Sequence, residues 1–230
     1  MDILHILVLI AALNEEEGIG LTLAELSKVL DGPAFLVVDG NSTDKTVEIA
    51  KSFGAEVFVQ EGKGKGAAIA QAIRRVRAGT NIKYVALTDA DFTYPSGYLP
   101  KMIKILEENP DVGMVCGNRF NGDFSLGRMH DILYFGNRLI ALAHNLLNGI
   151  EMHDPLTGMR VIRWEILKDW KPKSESFDLE VELNHYVERK GYSISEIPIR
   201  YRPRLGEKKL KLKHGVTILR RVMIESFSFG

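Results

Sequence analysis

Apolar runs and amphipathic segments alternate along the first half of the chain. The apolar runs are short and rich in β-branched residues, a pattern typical of buried strands; they are Ile3–Leu13, Ala34–Val38, Glu56–Gln60, Lys83–Leu87 and Val112–Cys116. The segments between them carry apolar residues at helical spacing; they are the stretch after Asn14, Thr46–Phe53, Ala67–Ala78 and Tyr98–Glu108. This alternation predicts an α/β fold with a mostly parallel central sheet flanked by helices.

The second half of the chain is less regular. Leu139–Leu147 predicts an apolar helix and Ser193–Ile199 predicts a last strand. Between them an acidic helix begins at Phe177. A catalytic role is one alternative for its carboxylates, and we interpret them instead as a solvated face. From Lys208 onward the chain first alternates Lys and Leu and then becomes more apolar. This tail is either a membrane-surface segment or a terminal helix packed on the domain.

Polar side chains follow three of the predicted strands at their ends. Asn14 and Glu15 follow the first strand, Asp39 follows the second, and Asp89 and Asp91 follow the fourth. Ligands of open α/β sheets bind beyond the carboxyl ends of the strands, along one edge. We therefore expect these side chains to share one nucleotide pocket. The alternative is that each is a turn residue or a helix cap, as Asn14 would be for the first helix.

Two features in this region point to phosphate chemistry. Asp89-Ala90-Asp91 places two carboxylates one residue apart, which suits a hard divalent ion such as Mg²⁺ or Mn²⁺ that also holds phosphates. The glycine-rich loop Gly62–Gly66 precedes the third helix, and its backbone N–H groups can approach a phosphate. The loop lacks the ending of a P-loop, and no dinucleotide fingerprint opens the first helix.

Composition narrows the class of protein. Hydrophobic residues make up 45% and charged residues 26% of the chain, as in an ordinary folded protein. The formal net charge of +0 gives no overall attraction to nucleic acid, and we expect no nucleic-acid partner. The single cysteine, Cys116, excludes an internal disulfide. Without a long apolar span or a basic leader, the sequence predicts a cytoplasmic location, or the cytosolic part of a longer protein.

Four motifs in order along the chain resemble the signatures of family-2 glycosyltransferases with the GT-A fold. They are Ala11–Glu16, Val37–Thr46, Gly64–Ala68 and Asp89–Asp91. The family usually has Pro and Tyr where this chain has Ala11 and Leu13, and a second Asp where it has Gly40. These departures leave the identity of the donor base open, and the fold that the resemblance implies is GT-A.

The resemblance also implies which residues hold the donor. Asp89 and Asp91 would bind the metal. The nucleotide sugar would contact Ala11, Leu13, Glu15, Val37, Asp39, Lys65, Asp89, Ala90, Asp91, Arg204 and Lys209. Arg204 and Lys209 belong to a Tyr-x-x-Arg-x-Gly-x-x-Lys pattern, which begins at Tyr201 and reaches over the diphosphate in the resembled group.

Motifs of the second half are similar to those of the dolichol-phosphate mannose synthase group of polyprenyl-phosphate sugar transferases. Asp154–Arg160 reads Asp-x-x-Thr-Gly-Met-Arg where that group commonly has Asp-x-x-Ser-Gly-Phe-Arg. The resemblance implies that Arg119, Arg128 and Arg138 meet the acceptor phosphate. It further implies that Asp91, Arg119 and Asp154 are catalytic.

The hypothesis that follows is a metal-dependent, inverting hexose transfer from a GDP- or UDP-sugar to a polyprenyl phosphate, with mannose or glucose as the hexose. A sugar nucleotidyltransferase and a non-catalytic nucleotide-sugar-binding subunit are the alternatives. We expect one catalytic domain over residues 1–207, with a nucleotide-binding half (1–117) and an acceptor half (118–207), and a basic amphipathic tail over 208–230. A lipid acceptor requires a membrane surface or a membrane-spanning partner, so we expect a peripheral position at the cytosolic membrane face.

The basic residues of the tail are the candidates for that contact. Juxtamembrane Lys and Arg attract anionic lipid, and the residues concerned are Lys208, Lys209, Lys211, Lys213, Arg220 and Arg221.

Overall fold

Seven strands form a single sheet in the order β3-β2-β1-β4-β6-β5-β7. The computed structural model describes residues 6–76, 81–120, 132–149, 151–207, 209 and 212–227. The strands are β1 Ile6–Ala12, β2 Ala34–Asp39, β3 Glu56–Val59, β4 Tyr84–Asp89, β5 Val112–Asn118, β6 Arg160–Arg163 and β7 Ser193–Pro198. Strand β6 runs antiparallel to β4 and β5, and the other pairs are parallel. The predicted α/β fold with a mostly parallel sheet is confirmed.

Helices cover both faces of this sheet. They are α1 Glu16–Val29, α2 Thr46–Ser52, α3 Lys65–Arg75, α4 Leu99–Glu108, α5 Ile132–Asn148, α6 Trp164–Leu167, α7 Leu179–Arg189 and α8 Leu212–Phe227, with a 3-10 turn at Ser96–Tyr98. Each predicted strand and helix occurs with shifted ends. Ile3–His5 and residues 77–78 of the predicted elements lie outside the described residues.

Successive residues of β1 point to opposite faces of the sheet, as the period of a strand requires. Val8 and Ile10 enter the core layer that α1 and α4 cover, and Leu7 and Leu9 enter the layer under α3 and α7. Both layers are almost free of solvent, so the sheet is buried on its two faces. This rigid sheet fixes where its strand ends lie.

Helix α8 packs on α5 and α7 rather than projecting from the molecule. Ile218 and Val222 join Ile140 and Val181 in a third apolar cluster. Arg221 is buried, and its guanidinium pairs with Asp178 at 3.1 Å. The tail is therefore, over its described residues, a helix docked on the rest of the chain, and our inclusion of Arg221 among the lipid-facing charges was wrong.

Candidate active site

The strand register brings the predicted polar residues to one edge. Ala12 of β1 pairs with Asp39 of β2, and Ala11 pairs with Asp89 of β4. A cleft of about 1010 Å³ opens beyond these strand ends. Among the predicted site residues, those that line it are Ala11, Leu13, Glu15, Lys65, Asp89, Ala90, Asp91, Arg119, Arg204 and Lys209.

The loops after β1 and β2 hold one another in place. Asn14 has a positive φ of 49°, and its side-chain oxygen accepts the N–H of Thr43 at 2.8 Å. It does not cap α1, so the predicted cap was wrong. The N–H of Glu15 instead donates to the Thr46 hydroxyl, and the N–H of Glu16 donates to Asp44. These exchanged contacts fix the position of the Glu15 side chain at the cleft.

Asp39 is almost fully buried at the end of β2. One carboxylate oxygen, Oδ2, accepts the N–H groups of Asn41 and Ser42, each at 3.0 Å. The other, Oδ1, is buried and has no hydrogen-bond partner among the described residues. A buried acceptor without a donor is costly, so Oδ1 is suited to take an N–H group from a ligand.

Arg204 lies between two carboxylates of the cleft. Its Nη1 donates to Asp91 Oδ2 at 2.5 Å, and its Nη2 donates to Glu15 Oε1. Burial raises the pKa of Glu15 to about 7 against the opposing effect of Arg204. Burial and the neighbouring Asp89 also raise the pKa of Asp91, while Thr93 and Arg204 oppose the shift. The carboxylates of Glu15 and Asp91 thus hold the Arg204 guanidinium between them at the cleft.

A second ion network lies beside the first. The Lys65 ammonium is 2.7 Å from Asp89 Oδ1 and 2.9 Å from Glu180 Oε1. Burial acts to lower the pKa of Lys65, but these two carboxylates outweigh it and raise that pKa. Burial acts to raise the pKa of Asp89, and Lys65 more than offsets it. Lys65 is therefore a charged donor at the cleft.

The acidic helix α7 is not a solvated face, contrary to our interpretation. Glu180 is 7% and Glu182 is 4% exposed. Glu182 accepts the backbone N–H groups of Lys173 and Ser174 at 2.8 and 2.7 Å. Glu180 lines the cleft. The carboxylates are buried because each one has a cation or backbone N–H partner from another element.

The glycines before α3 serve close packing. A Cβ on Gly64 would come within 2.1 Å of the Glu175 carbonyl oxygen, and one on Gly66 within 2.3 Å of the Ser174 carbonyl oxygen. The N–H of Ala67 donates to the Glu175 carbonyl. The 174–175 segment thus covers this helix start, where we expected backbone N–H groups to face a phosphate. Lys63, Gly64 and Lys65 are the members of the loop that line the cleft.

The basic segment after β7 crosses the cleft, and we call its described residues, 200–207 and 209, the strap. The N–H of Arg202 donates to the Thr93 carbonyl at 2.9 Å, and the N–H of Leu205 donates to the Asp91 carbonyl at 3.3 Å. Lys209 Nζ is 3.3 Å from the carbonyl oxygen of Asn14. The strap therefore places the cations of Arg204 and Lys209 over the strand ends.

Arg119 follows β5 and is held by Asp154. Its Nε and Nη2 donate to the two carboxylate oxygens of Asp154, each at 2.7 Å. Asp154 is 0% exposed, and its own N–H donates to Glu196 Oε1 at 2.8 Å. The predicted direct role of Asp154 in catalysis is not supported by this placement, because both of its oxygens face Arg119 and none faces the cleft. Asp154 positions Arg119.

Among the described residues that were predicted for the site, Val37, Asp39, Arg138 and Asp154 do not line the cleft. Val37 is fully buried in the core, so its side chain cannot reach a ligand. Arg138 is exposed, and its guanidinium lies 5.5 Å from the ring of Phe120, next to Arg119. Arg128 lies outside the described residues.

Tyr94 and Glu180 are cleft residues that sequence reasoning missed. The Tyr94 hydroxyl accepts the N–H of Gly158 at 2.7 Å, and its ring meets Tyr201 edge to face. Arg119 lies over the Tyr201 ring at 5.4 Å. The only sequence signal for Tyr94 is that it follows closely after Asp91.

The predicted ligands of a metal are oxygen atoms from two carboxylates. Asp89 and Asp91 would supply hard ligands, which suit Mg²⁺ or Mn²⁺. No cluster of three or more His, Cys, Asp or Glu side chains able to hold a metal occurs in the part of the chain that the structure describes. Mg²⁺ commonly binds through one or two carboxylates plus substrate phosphates, so these residues fit a metal that arrives with a nucleotide diphosphate.

Two curated relatives are informative. The dolichyl-phosphate hexose transferase of Haloferax volcanii is 38% identical over 206 residues, which are 88% of this chain and 85% of that protein. The low-salt glycan biosynthesis hexosyltransferase Agl6 of the same organism is 33% identical over 208 residues. That match covers 89% of this chain and 49% of Agl6, so the chain spans about half of that relative.

A solved structure shares the fold. Glucosyl-3-phosphoglycerate synthase from Mycobacterium tuberculosis, in complex with Mn²⁺, UDP and glucosyl-3-phosphoglycerate, aligns with a TM-score of 0.72 at 23% identity. The alignment covers 97% of this chain and 79% of that one. The glycosyl transferase family 2 model matches residues 7–171. With that match and the Haloferax relative, the chain belongs to glycosyl transferase family 2.

Proposed function

We propose that this chain transfers a hexose, mannose or glucose, from a GDP- or UDP-sugar to a polyprenyl (dolichyl) phosphate, with inversion at the sugar carbon and with Mg²⁺ or Mn²⁺ as cofactor. One observation carries the proposal. A single cleft combines a carboxylate pair suited to a metal with Arg119, Arg204 and Lys209, which are suited to phosphates. The Haloferax relative, a dolichyl-phosphate hexose transferase, supports the reaction class.

The donor would lie along the strand ends. Asp39 Oδ1 would accept an N–H group of the base, near Ala11 and Leu13. Asp91, with Asp89, would hold the metal, which when bound offsets the negative charge of the leaving diphosphate. Arg204 and Lys209 would meet the diphosphate from the strap. In this arrangement the nucleotide would bind to residues of the proposed half 1–117 and to the strap that crosses it.

The acceptor phosphate would bind at Arg119, in the proposed half 118–207. Asp154 holds the guanidinium by Nε and Nη2, which leaves Nη1 as the donor for an anion. A phosphate is already ionised near neutral pH, so it needs no strong general base to attack the sugar carbon. The guanidinium groups of Arg119 and Arg138 lie 5.9 Å and 5.5 Å from the Phe120 ring, so Arg138 would support the same phosphate.

The lipid acceptor requires a membrane surface, and one face of the molecule suits it. Helices α5 and α8 expose apolar side chains, namely Leu139, Leu142, Leu146, Leu147, Val216, Met223, Ile224 and Phe227. The same helices contribute Asn137 and Ile218 to the cleft. The helices in the described part of the chain are each too short or too polar to cross a membrane. We therefore propose peripheral binding at the cytosolic face through this α5/α8 face.

A donor panel tests the reaction. GDP- and UDP-hexoses are incubated with a short polyprenyl phosphate and Mg²⁺ or Mn²⁺, and the lipid product and its anomer are analysed. We expect transfer from one donor class, and we expect its loss in Asp91→Ala and in excess EDTA. Asp31→Ala, which removes an exposed Asp just after the C-terminal end of α1, is the matched control.

Full transfer by Asp91→Ala, or in excess EDTA, would refute the metal role. Pyrophosphate formed from a nucleoside triphosphate and a sugar phosphate would instead identify a nucleotidyltransferase. Tight binding of nucleotide diphosphate without transfer from any donor would identify a non-catalytic subunit. Membership of the glycosyl transferase family argues against the first of these alternatives.

A further inference from the structure

Two arginines of the strap lie two residues apart and have different partners. Arg204 donates to the cleft acids Asp91 and Glu15. Arg202 instead turns to helix α1, where its Nη1 and Nη2 donate to the two carboxylate oxygens of Glu25 at 2.8 and 2.7 Å. Such a bidentate pair occupies both arms of the guanidinium fork. Arg202 lines the cleft, but its two terminal nitrogen atoms are therefore directed at Glu25 and not at a ligand.

The backbone after Asp91 fits this arginine. Phe92 has a positive φ of 62°, which is uncommon for a bulky residue. Its ring lies 4.2 Å from the guanidinium carbon of Arg202, within the range of a cation–π contact. The N–H of Arg202 also donates to the carbonyl of Thr93 at 2.9 Å. The segment that follows the carboxylate motif thus presents both a ring and a carbonyl to Arg202.

Glu25 belongs to the face of α1 that packs against the proposed metal-binding motif. Gly18 lies against the carbonyl of Ala90, and the Thr22 hydroxyl donates to that carbonyl at 3.3 Å. Glu25 follows Thr22 by three residues and so lies on the same side of the helix. The hydrogen bond from Arg202 lowers the pKa of Glu25 against the opposing effect of burial, so this carboxylate is charged at neutral pH. One helix face thus holds both the motif and the strap.

The strap needs an attachment that does not depend on Asp91. Arg204 donates to Asp91, one of the two proposed metal ligands. When the donor binds, Arg204 would exchange this partner for a phosphate oxygen. Glu25 does not line the cleft, so the pair that it forms with Arg202 would persist through the exchange and hold the strap backbone in place.

We propose that Arg202, Glu25 and Phe92 form a clamp that fixes the strap, and that Arg202 and Glu25 are positioning residues, which act on the diphosphate through Arg204. The inference rests on the proposed function and names the contacts that place Arg204 over the diphosphate. Arg204 is only two residues from the clamp, so its guanidinium loses its position when the clamp opens. Arg202 is then a residue that holds the strap and not a phosphate ligand.

The competing explanation is an ordinary surface ion pair, which contributes little. Glu25→Gln separates the two explanations because it keeps the shape of the side chain and removes its charge. Glu56→Gln is the matched control, since Glu56 pairs with Arg75 at 2.9 Å and Arg75 lies 4.8 Å from the Phe58 ring. This second set of a carboxylate, a guanidinium and a phenyl ring lies at the β3 edge of the sheet, outside the cleft lining. Thermal unfolding shows whether each variant is folded.

Hydrogen exchange of single backbone amides, followed by NMR, provides the first readout. The N–H groups of Arg202 and Leu205 bond across the strap, and the N–H of Gly40, which donates to β1 at the same sheet edge, is the reference. We expect Glu25→Gln to speed exchange of the two strap amides at least about tenfold relative to Gly40, because local opening becomes easier. Glu56→Gln should leave it unchanged. Unchanged strap exchange in Glu25→Gln would overturn the proposal.

Calorimetric titration with GDP and UDP, in the presence of Mg²⁺, provides the second readout. We expect Glu25→Gln and Arg202→Lys each to weaken binding of the preferred diphosphate about 5- to 20-fold. Lysine keeps the charge of Arg202 but not its planar fork. In an Arg204→Met background neither change should cause a further loss, because both act through Arg204. Unchanged affinity, or equal losses in both backgrounds, would overturn the positioning role.

The two proposals fail differently. If the wild-type protein transfers no hexose but Glu25→Gln still loosens the strap and loses diphosphate affinity, the transfer reaction is wrong and the clamp stands. If transfer occurs and Glu25→Gln keeps the strap exchange and the diphosphate affinity of the wild type, the clamp is wrong and the transfer reaction stands.

Discussion

Arg119 meets the cleft with a guanidinium that the protein has already oriented. Burial acts to lower its pKa, and the paired Asp154 more than compensates and raises that pKa. Asp154 is itself fixed by Glu196, through its backbone N–H. An Arg held in this way presents one fixed donor direction to a phosphate, which a flexible Lys would not.

We predict that Asp154→Ala lowers the free energy of unfolding by about 3 kcal/mol, because it leaves a buried guanidinium without its counter-ion. It should also lower kcat/KM, since Arg119 loses its orientation. Urea denaturation and transfer kinetics measure the two effects. The double variant Arg119→Met/Asp154→Leu should regain stability but not transfer. An Asp154→Ala protein as stable as the wild type would contradict this account.

At the residue scale, the acids at the strand ends could be predicted and those of α7 could not. Asp39, Asp89 and Asp91 follow apolar runs, so their shared edge follows from the parallel sheet. Asp178 and Glu182 lie about 40° apart around α7, whereas Glu180 lies nearly opposite, at about 100° per residue. This spacing already argues against a single solvated face, but it does not identify the partners, because the cations, Lys65 and Arg221, are distant in the sequence.

At the scale of elements, helix α1 packs against the proposed metal-binding motif Asp89–Asp91. A Cβ on Gly18 would come within 2.7 Å of the Ala90 carbonyl oxygen and 2.8 Å of the Asp91 Cα. The hydroxyl of Thr22, one turn further along α1, donates to the same Ala90 carbonyl at 3.3 Å. The position of the Asp89–Asp91 segment thus depends on the absence of a side chain at Gly18.

We predict that Gly18→Ala displaces this segment and lowers kcat/KM at least about tenfold, because small misplacements of catalytic groups are costly. Gly20→Ala, in the same helix, is the matched control, since its Cβ would meet side-chain atoms and no backbone, namely Ile49 Cγ2 at 3.1 Å and Phe53 Cε2 at 3.8 Å. Alanine also favours the helix over glycine by up to about 1 kcal/mol. Equal transfer kinetics for the two variants would show that the close approach of Gly18 is unimportant.

Element prediction failed where pairing is long-range. Strand β6 has four residues and fills the sheet between β4 and β5, antiparallel to both. Its apolar run is too short to be recognised as a strand in the sequence, and the strands with which it pairs are far away along the chain. Helix α5 begins at Ile132, earlier than the predicted Leu139. Glycine and asparagine at 136–137 are poor helix formers, so the sequence indicated a later start, but the docked helix tolerates both residues.

At the scale of the whole molecule, the cleft and the α5/α8 face adjoin. Arg138 and Arg220 are exposed on these helices, whereas Lys209 donates to the Asn14 carbonyl, at the proposed nucleotide end, and Arg221 is buried. Lys208 and Lys211 lie outside the described residues. The basic composition of the tail suggested that charge dominates membrane binding. The positions of these residues instead give apolar contact a larger share of the proposed binding.

We predict that the chain co-sediments with anionic vesicles and that Leu146→Ser/Phe227→Ser lowers the bound fraction. These side chains are 75% and 86% exposed, and burial of each in lipid is worth about 2 kcal/mol. Their joint loss should weaken partitioning at least about tenfold. Val59→Ser removes a 55% exposed apolar residue from the opposite sheet edge and is the control.

Salt separates the apolar contribution from the charged one, because screening weakens only the attraction of the cations for anionic lipid. We expect the wild type to keep part of its binding at high salt and the double Ser variant to lose it. That result would assign the anchor to the apolar side chains of the α5/α8 face. Recovery of all the protein in the supernatant at low salt would refute this face as the anchor, and a membrane-spanning partner would then have to bring the lipid phosphate to Arg119.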